Sequence, residues 1–594
     1  MSATGAVPHS ATLLATPRQR WILAEPHPRE AEALAQSAHI PVVLAELLVA
    51  RGITTSIEAF AFLNPEVAHL HDPLLMLGMK TAVERVEAAV ARKEPILLYG
   101  DYDVDGTTAV VLLKTTIELL GGEARFHVPH RLREGYGLQS AVLEAAYAEG
   151  VRLVITVDTG MRAFAEAETA QRLGLDLIIT DHHLAQTDDS VPVALAILNP
   201  NQHNCGYPEK SLCGASIALK LAQALLERHD AERTRNKLLP SFLKMAAIAT
   251  IADAVPLRGE NRAIAALGLR ELRKPVGAGL RALFAAAQLD PATKPITAFD
   301  IAFRLAPRIN AAGRMDVASE IIELFCTRDT ARATELADKL ERLNRDRRET
   351  EARALAAIEL RLATDADLAA TRLVVVDGDG WHRGVIGILA SRVVERTAKP
   401  ALVISVEDGV AHGSGRSVDG FQLLNAIETC ADLFTRFGGH AFAVGFALPA
   451  SCLPELKRRL AECATERLGA REPERVVHIH AELPLHQITA VLAGWLRKLE
   501  PLGHGNPEPI FVARNARIVS APRVMKERHL RLELAQVEGT AATRAVGWDL
   551  AARSAELGLM QGSRIDVAYR IRENLHPDFG GLEVEIAGIR PASG

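Results

Sequence analysis

The chain has 594 residues, of which 48% are hydrophobic and 24% are charged, as in an ordinary globular protein. One hydrophobic core does not extend over this length, so we expect three or four domains of roughly 150 residues each. The formal net charge of -5 excludes an overall attraction to nucleic acid, and a polyanion would have to bind in a local groove.

The cysteines and the apolar runs indicate the compartment. Six cysteines are scattered along the chain without a CxxC pair, which argues against a zinc ribbon or a disulfide framework and favours a reducing cytoplasm. The first twenty residues lack a basic start followed by an apolar stretch, and no run of about 18 apolar residues occurs. We therefore expect a cytoplasmic protein without a membrane span.

The first two regions differ in their apolar pattern. In residues 1–70, apolar residues recur three and four positions apart, as in "PVVLAELLVARGI", which predicts a helical segment. In residues 71–330, short runs rich in Val, Ile and Leu, such as "PILLYG", "LVITVD" and "LDLIITD", alternate with amphipathic helical stretches. Strands that are apolar throughout and alternate with helices predict an α/β domain whose parallel sheet is covered on both faces.

Three further regions follow along the chain. Residues 331–365 contain no Gly or Pro and many charges, which predicts a long connector helix. Residues 366–470 return to an α/β pattern, beginning with "TRLVVVDGD". Residues 471–594 contain several short alternating strands and few helices, which predicts a small barrel, with an OB-fold as the natural candidate.

Acidic residues follow three of the predicted parallel strands. They are Asp101, Asp103 and Asp105 in "YGDYDVDG", Asp158 in "ITVDTG" and Asp181 in "IITDHH". The carboxyl ends of parallel strands meet at one edge of a sheet, where the functional crevice of such domains lies. We therefore expect these carboxylates to converge.

Two histidines and a fourth acidic motif extend this group. His182 and His183 follow directly, and Asp253 lies near the end of an apolar helical run, where burial of an unpaired carboxylate is costly. Carboxylates with imidazole suit manganese or magnesium better than a metal that prefers thiolates. Four or five carboxylates exceed the needs of one ion and indicate two, which are typically about 3.5 to 4 Å apart in sites of phosphoryl transfer.

Each motif alone also has a simpler interpretation. A DxDxDG run is more often a surface turn or a calcium loop, and "TDHH" at a strand end could be a turn whose polar groups are satisfied locally. The occurrence of all four motifs, in order and at matching strand ends, favours the metal site.

The same motifs carry a family resemblance. "GDYDVDGTTA", "VDTG", "TDHH" and "ADAVPL" resemble motifs I to IV of the DHH phosphoesterase superfamily, and "APRINAAGRM", "WHRGVIGI", "GSGRS" and "GGHAFAVGF" resemble its RecJ branch. The resemblance implies a DHH domain over 71–330, a DHH-associated domain over 366–470 and a nucleic-acid-binding OB-fold over 471–594. It also implies a single-strand-specific exonuclease that degrades DNA from the 5′ end to mononucleotides, with two divalent ions, manganese or magnesium.

The resemblance implies a role for each acidic residue. Asp158 would bridge the ions, and Asp101 would be a ligand or a close partner of the ligands. His183 could act as a metal ligand, as an orienting group or as a proton donor. Smaller relatives carry a histidine where this chain has Tyr99, so the residue that replaces that ligand stays open. The implied metal ligands are Asp101, Asp103, Asp105, Asp158, His182 and Asp253. The implied catalytic residues are Asp103, Asp105, Asp158, His182 and His183.

An exonuclease that starts at a 5′ end must also bind the terminal phosphate. Arginine, with its bidentate geometry, and small donors beside glycine suit a phosphate. By resemblance the strongest candidates are Arg131, Ser414 and Arg416. The remaining candidates for DNA binding are Arg308, Asn310, Arg314, Arg383 and His440. We expect residues 366–470 to close over the metal face and leave a groove that admits one strand.

The predicted barrel offers few aromatic side chains for stacking on bases. They are Phe511, Trp548, Tyr569 and Phe579. Two other functions compete with the exonuclease: a DHH phosphodiesterase of short RNA or cyclic dinucleotides, and a non-catalytic RecJ-like replication scaffold. Expected partners are single-stranded DNA, a helicase and a single-stranded-DNA-binding protein, and the expected state is a monomer.

Overall fold

The computed structural model describes residues 18–130, 134–135, 137–186, 189–274, 276–315, 318–469, 472–537, 539, 541–574 and 580–592. Their contacts define two units. The N-terminal unit comprises residues 26–344 and 489–509, and the C-terminal unit comprises the described residues of 1–25, 345–488 and 510–594.

The first described elements are one strand and four helices. They are β1 (Arg18–Leu23), α1 (Pro28–Ala38), α2 (Val42–Val49), α3 (Ser56–Leu63) and α4 (Met79–Arg92), with short 3-10 helices at Val67–His69 and Pro73–Leu75. The strand was not expected within the helical segment 1–70. Its partner lies about 450 residues later in the sequence, so local periodicity contains no sign of the pairing.

A five-stranded sheet follows, interleaved with helices as the sequence predicts. Its elements are β2 (Pro95–Gly100), α5 (Val104–Leu119), β3 (Glu123–His127), α6 (Ser140–Ala148), β4 (Leu153–Val157), α7 (Phe164–Leu173), β5 (Asp176–Thr180) and β6 (Ala196–Leu198). The strand order is β3-β2-β4-β5-β6 and every pairing is parallel.

Both faces of this sheet are buried. On β2, Ile96 and Leu98 pack into the core that contains α4 and α5, whereas Leu97 and Tyr99 pack into a second core with α6 and α7. Side chains alternate between the faces of a strand, so a strand that is buried on both faces must be apolar throughout. The predicted doubly covered parallel sheet is therefore confirmed.

The rest of the N-terminal unit is helical. Its helices are α8 (Gly214–Arg233), α9 (Leu239–Ala252), α10 (Gly259–Glu271), α11 (Ala278–Ala286), α12 (Ala298–Asp300), α13 (Ala306–Met315) and α14 (Ser319–Cys326), with π-helical turns at Thr234–Leu238 and Ile301–Leu305. The predicted connector is one helix, α15 (Thr330–Thr364), which continues across the boundary between the units.

The C-terminal unit contains a second α/β sheet. Its elements are α16 (Ala366–Ala370), β7 (Val374–Asp379), α17 (Ile386–Thr397), β8 (Ala401–Glu407), β9 (Val410–Arg416), α18 (Leu423–Glu428), β10 (Arg436–His440), β11 (Ala443–Pro449) and α19 (Leu453–Leu468), with 3-10 helices at Ala431–Leu433 and Ala450–Cys452. The strand order is β10-β11-β9-β8-β7, and only β7 and β8 pair in parallel. Because β10 is at the edge, one side of it has no partner strand in this sheet.

The last part of the chain forms a barrel. The elements from Glu474 onward are β12 (Glu474–Ile479), β13 (Ala481–Glu482), α20 (Ala490–Arg497), β14 (Phe511–Ile518), β15 (Arg523–Met525), β16 (His529–Ala535), β17 (Thr543–Gly547), α21 (Ala551–Glu556), β18 (Arg564–Asn574) and β19 (Gly581–Pro591), with a 3-10 helix at Leu485–Gln487. The strands β13 to β19 form the barrel sheet, whereas β12 pairs with β1 and α20 belongs to the N-terminal unit. Strands pair in the order β14-β18-β19-β17-β16, and β16 pairs back onto β14. Five strands thus close into the predicted OB-fold barrel.

Two features lie outside the predicted regions. The strand β1 pairs in parallel with β12, and the guanidinium of Arg590 lies 4.5 Å from the ring centre of Trp21. Residues 489–509, which the sequence assigns to the barrel region, belong to the N-terminal unit instead. No single helix among the described residues has the length and apolarity to cross a membrane, although α1 and α2, bent by 118°, together pass that test by length and composition.

Candidate active site

Three strands of the first sheet end in the same row. Gly100 of β2 pairs with Val157 of β4, which pairs with Thr180 of β5. The next residue of each strand is an aspartate, so Asp101 and Asp158 follow neighbouring strand ends in register. The parallel sheet therefore produces the expected row of carboxylates.

The motif I aspartates are held by backbone donors of two helices. Asp103 caps α5 and its Oδ1 accepts hydrogen bonds from the N–H groups of Asp105 at 2.8 Å and Gly106 at 3.1 Å. The buried carboxylate of Asp105 accepts from Gly214 at 2.6 Å and Ala215 at 2.8 Å, in the first turn of α8. A helix N-terminus stabilises a carboxylate, so α8 offsets part of the repulsion in the cluster.

The sequence reasoning missed Gly214. A Cβ at this position would lie 2.7 Å from the Cβ of Asp158, closer than real carbon atoms pack. The absence of a side chain at Gly214 therefore lets the first turn of α8 contact both Asp105 and Asp158. The available signal was the "CGAS" run directly before a long apolar helix.

Asp158 and His182 occupy the centre of the cluster. Asp158 is buried and adopts a positive φ of 61°, which aspartate tolerates better than most residues. The Nε2 atom of His182 lies 3.1 Å from Oδ1 of Asp158, 3.8 Å from Oδ2 of Asp105 and 3.9 Å from Oδ2 of Asp253. One imidazole nitrogen thus faces three carboxylates.

These side chains form three overlapping sets of potential metal ligands. Within each set, one ligand atom per residue lies within 4.8 Å of the others. The sets are Asp101, Asp103 and Asp158; Asp105, His182 and Asp253; and Asp158, His182 and His183. We call the seven residues of these sets the acidic cluster. Asp158 and His182 each occur in two sets, which is the arrangement expected of residues between two ion positions.

The protonation of the cluster reflects its crowding. Burial, and next the charge of Asp105, raise the pKa of Asp103 and raise that of Asp158 well above the usual range. Burial, Asp105 and Asp103 raise the pKa of Asp253 to about 8. Asp253 therefore holds a proton at neutral pH unless a cation takes its place, and the raised pKa values of Asp103 and Asp158 favour protons or cations in the same way.

The two histidines differ in charge. Burial lowers the pKa of His182 and outweighs the attraction of Asp105, which suits a neutral metal ligand. For His183 burial also lowers the pKa, but the hydrogen bond and charge of Asp181 outweigh it and raise the pKa to about 9. Its Nδ1 donates to Oδ1 of Asp181 at 2.7 Å.

Asp181 acts on the backbone of the "DHH" run. Its carboxylate accepts from the N–H groups of Met161 at 2.8 Å, His182 at 2.8 Å and His183 at 3.1 Å. Burial alone would raise the pKa of Asp181, but these bonds and the His183 side chain hold it below the usual range. The residue that follows the third strand is therefore an orienting group for both histidines.

Two asparagines complete this support, and the sequence reasoning missed them. The side-chain amide of Asn199 donates to the carbonyl of His183 at 2.8 Å, and that of Asn201 donates to the carbonyl of His182 at 3.0 Å. Both residues follow β6 in "ILNPN", where the available signal was their position after the fifth strand.

The "APRINAAGRM" helix lies against motif I. Asn310 accepts a hydrogen bond from the N–H of Val104 at 3.1 Å, and Arg308 is largely buried and ion-paired with Glu341 at 2.5 Å. Arg308 also donates to backbone carbonyls, and Arg314 is partly buried at the end of α13. The contacts of Arg308 and Asn310 are thus internal to the N-terminal unit.

Tyr99 lies in the core under the sheet and outside the three ligand sets. Its side chain is fully buried among apolar residues and its hydroxyl donates to the carbonyl of Gly137 at 3.0 Å. Burial raises its pKa above the usual value. Tyr99 therefore occupies its position as a core residue.

A second candidate site lies on the sheet of the C-terminal unit. Arg416 of β9 pairs with Ala443 of β11, which pairs with His440 of β10, and Ser414 pairs with Gly445. Paired residues share a face, so Ser414, Arg416 and His440 lie on one face with small residues between them. We call this face, from β9 to β10, the β9–β10 strip.

The β9–β10 strip is basic, open around His440 and Gly445, and partly buried at Ser414 and Arg416. A Cβ at Gly445 would meet nothing within 4 Å, and no carboxylate of the described residues forms an ion pair with Arg416. Gly387, near the N-terminus of α17, brings its backbone beside Ser414, because a Cβ there would lie 3.2 Å from Ser414 Oγ and 3.4 Å from the Arg416 guanidinium. The strip thus combines an arginine, a hydroxyl and a helix N-terminus, which are groups that bind phosphate.

The register adds two residues that the sequence reasoning missed. Arg436 of β10 pairs with Ala447 of β11, which pairs with His412 of β9, so both belong to the β9–β10 strip. Arg383 precedes α17 and is close enough to help lower the pKa of His412, after the larger effect of burial. The predicted residue Arg131 lies outside the described residues.

Among the described aromatic residues of the barrel, Trp548 is the candidate for stacking on a base. Trp548 is 56% exposed, whereas Phe511 and Tyr569 are buried core residues. The Trp548 ring meets His529 edge-on, with ring centres 4.9 Å apart. Phe579 lies outside the described residues.

Family profiles match three parts of the chain. The profile of the DHH family, N-terminal domain, matches residues 95–250, the DHHA1 domain matches 368–466, and the RecJ OB domain matches 479–586. The residues of the acidic cluster other than Asp253 lie within the first match, and the β9–β10 strip lies within the second.

Two relatives and a solved structure each match more than nine-tenths of the chain. The single-stranded-DNA-specific exonuclease RecJ of Bacillus subtilis (strain 168) is 36% identical over 560 residues, which are 93% of this chain and 68% of that protein. That of Dickeya dadantii (strain 3937) is 35% identical over 569 residues, 92% of each chain. A crystal structure of RecJ in complex with Mn²⁺ from Thermus thermophilus has a TM-score of 0.81 at 29% identity and covers 97% of this chain and 80% of that one. The chain therefore belongs to the RecJ family of single-stranded-DNA-specific exonucleases.

Proposed function

We propose that the chain is a 5′→3′ exonuclease that hydrolyses single-stranded DNA to 5′-mononucleotides with two divalent metal ions, manganese or magnesium, in DNA recombination and repair. The observation that carries this proposal is the overlap of the three ligand sets at Asp158 and His182. A single-ion site needs no such shared residues, whereas two ions at a phosphate do.

The donor set fits these metals. Carboxylate and imidazole ligands suit manganese and magnesium. The raised pKa values of Asp103, Asp158 and Asp253 mean that the uncompensated negative charge is unfavourable, which favours the binding of cations. Asp101, Asp103 and Asp158 would hold one ion, and Asp105, His182 and Asp253 the other. When bound, such ions would activate water and stabilise charge on the phosphate.

His183 supplies a proton in this proposal. Its pKa of about 9 keeps the imidazole charged at neutral pH, and Asp181 holds Nδ1, so Nε2 is the atom that would donate. Protonation of the leaving 3′ oxygen is a task for such a group. His183 also belongs to one ligand set, so ligation is the alternative role.

The β9–β10 strip would bind the 5′ end and the adjoining backbone. Ser414 and Arg416 lie beside the backbone of Gly387, and His440 lies in the same row as Arg416. Arg131, Arg308, Asn310, Arg314 and Arg383 remain candidates for DNA binding. Arg308 and Asn310 are the weaker ones, since their contacts are with the protein itself.

The OB-fold would extend the binding surface for the DNA strand through Trp548 and basic side chains. We further propose a monomeric, cytoplasmic enzyme that cooperates with a helicase and a single-stranded-DNA-binding protein. Support for the reducing compartment is that all six cysteines are free thiols.

The two competing functions make different demands. A phosphodiesterase of short RNA or cyclic dinucleotides needs no OB-fold, and a non-catalytic scaffold needs no intact ligand sets. The chain has both features. They favour an enzyme that acts on long strands.

The test uses single- and double-stranded DNA labelled at either end, with Mn²⁺, Mg²⁺ or EDTA, and dinucleotides as a competing substrate. We expect metal-dependent release of mononucleotides from the 5′ end of single strands only. Release from the 3′ end, equal digestion of duplexes, preference for dinucleotides or activity in EDTA would each contradict the proposal.

A further inference from the structure

Asp253 lies at the C-terminal end of α9, directly before a loop whose first residue has an unusual backbone conformation. Its N–H still donates to the carbonyl of Ala249 at 2.8 Å, but α9 ends one residue earlier, and Ala254 adopts a positive φ of 57°. Such a conformation is uncommon for alanine and persists only where neighbours maintain it. The residues 254–258 between α9 and α10 therefore need external support.

That support comes from a turn about 250 residues later in the sequence. Gly503–His504–Gly505–Asn506, which we call the 503–506 turn, is closed by two backbone bonds between Gly503 and Asn506, at 2.9 and 3.1 Å. The turn belongs to the same N-terminal unit as Asp253, although the chain reaches it only after the whole second α/β region.

Three hydrogen bonds join the turn to the Asp253 loop. Nδ1 of His504 donates to the carbonyl of Ala254 at 2.8 Å, and the N–H of Leu257 donates to the carbonyl of His504 at 2.8 Å. The third bond runs from Nε of Arg258 to the carbonyl of Gly505 at 2.7 Å. The carbonyl of Ala254, the residue with the unusual φ, is thus fixed directly.

The packing between turn and loop is close. Gly505 has a φ of 71°, and a Cβ there would lie 2.9 Å from the Cβ of Pro256 and 3.0 Å from its Cα. Gly503 is similarly near Leu257. A larger side chain at residue 505 would push the turn off the loop, because the nearest atoms include backbone.

The turn itself is anchored to the helices of the N-terminal unit. Asn506 is fully buried, donates to the carbonyls of Leu499 and Pro501 at 2.8 Å, and accepts from Nε of Arg51 at 2.9 Å. The buried guanidinium of Arg262 in α10 donates to the carbonyls of residues 498–501. A buried arginine bonded to four carbonyls gives the turn a rigid base.

We propose that the 503–506 turn is a positioning element of the metal centre, which holds Asp253 in place through the carbonyl of Ala254 and the close contact at Pro256. His504 and Gly505 are its positioning residues. The inference rests on the proposed function only in naming the ion that Asp253 would hold. It makes one metal ligand depend on residues that lie within the RecJ OB match in the sequence but belong to the N-terminal unit in the fold.

The test measures Mn²⁺ binding by electron paramagnetic resonance of free Mn²⁺, with thermal unfolding as a check of folding. His504→Ala removes one hydrogen bond and should weaken Mn²⁺ binding about threefold, whereas His504→Asn, whose amide can reach the same carbonyl, should restore it. Gly505→Val should weaken binding about tenfold or more. The matched control is Val491→Ala, an exposed residue of α20 in the same segment, which should bind as the unaltered chain does.

A second readout separates positioning from a merely structural role. Activity lost in His504→Ala should return at excess Mn²⁺, with an unchanged KM for single-stranded DNA. If Gly505→Val fails to fold, His504→Ala and His504→Asn decide alone. Folded variants that bind Mn²⁺ as tightly as the unaltered chain would overturn the inference. If the turn variants weaken Mn²⁺ binding as expected but the unaltered chain degrades no DNA, the proposed function would be overturned instead.

Discussion

The acidic cluster and the β9–β10 strip carry opposite charges and are built in opposite ways. The cluster is largely buried, and backbone donors of α5, α8 and the strand ends hold the carboxylates of Asp103, Asp105 and the neighbouring Asp181. The strip is open, with glycine and alanine between Ser414, Arg416 and His440. A site that holds two small ions needs fixed ligands, whereas a surface for a DNA backbone needs access.

This difference predicts the size of mutational effects. Removal of one group from the cluster leaves buried charge unbalanced and should stop chemistry, whereas removal of one group from the strip should weaken one contact among several.

The first prediction concerns Asp158→Asn. Asparagine tolerates the positive φ of this position and keeps its shape, so the fold should persist while the charge shared by two ligand sets is lost. We expect hydrolysis of single-stranded DNA to fall by at least about 10³-fold while binding of the strand largely survives. The control is Glu84→Gln, an exposed acid of α4, which should digest DNA normally. Normal turnover by Asp158→Asn would remove Asp158 from the centre.

The second prediction concerns pH. Asp253 has a pKa of about 8 without metal, so Mn²⁺ must displace its proton, and the apparent affinity for Mn²⁺ should fall about fiftyfold from pH 8 to pH 6. The raised pKa also means that the metal-free fold binds protons that the unfolded chain releases above about pH 4. Its stability should therefore fall as pH rises towards 8, and Mn²⁺ should reverse this.

Thermal unfolding between pH 5 and 9, with EDTA or with Mn²⁺, checks the sign of this effect. A metal-free protein that gains stability from pH 5 to 8, or a stabilisation by Mn²⁺ that does not grow with pH, would show that the carboxylates are not protonated in the fold.

The third prediction concerns Arg416→Ala in the strip. A charge-assisted bond to a terminal phosphate should be lost, which lowers the preference for 5′-phosphorylated over 5′-hydroxyl ends by about thirtyfold. Cleavage of 5′-hydroxyl strands and Mn²⁺ affinity should change little. The control is Arg396→Ala, a half-exposed arginine in the last turn of α17. An unchanged preference in Arg416→Ala would exclude this residue from end recognition.

The smallest effect is expected for Trp548→Ala in the OB-fold. Loss of one stacking contact should weaken binding of long single strands about fivefold, without an effect on very short ones. Trp548→Phe, which keeps an aromatic face, is the matched control. Fluorescence anisotropy with strands of increasing length measures this, and equal losses at every length would argue against a stacking role.

The cluster could be predicted from the sequence because strand ends are a local feature. Apolar runs followed by aspartate place Asp101 and Asp158 in neighbouring positions once the sheet is parallel, and the register confirms it. The supporting groups escaped notice, because Gly214, Asn199 and Asn201 act through contacts that no short-range pattern encodes.

For the same reason, the sequence does not reveal which residues assemble in the β9–β10 strip or which loop the 503–506 turn supports. His412 and Arg436 join Arg416 only through the pairing of β9, β11 and β10, and that register is set by tertiary packing. Arg308, a candidate for DNA binding by sequence, is ion-paired with Glu341, a contact that no short-range pattern encodes. The 503–506 turn lies far along the chain from the loop it supports, so only the fold reveals their contact.

The most direct test of the two-ion centre is electron paramagnetic resonance of the chain titrated with Mn²⁺ at pH 8. The account predicts two Mn²⁺ ions per chain with a spin-coupled signal, and loss of the coupling in Asp158→Asn. A single uncoupled ion in the unaltered chain, or coupling that survives in Asp158→Asn, would contradict it.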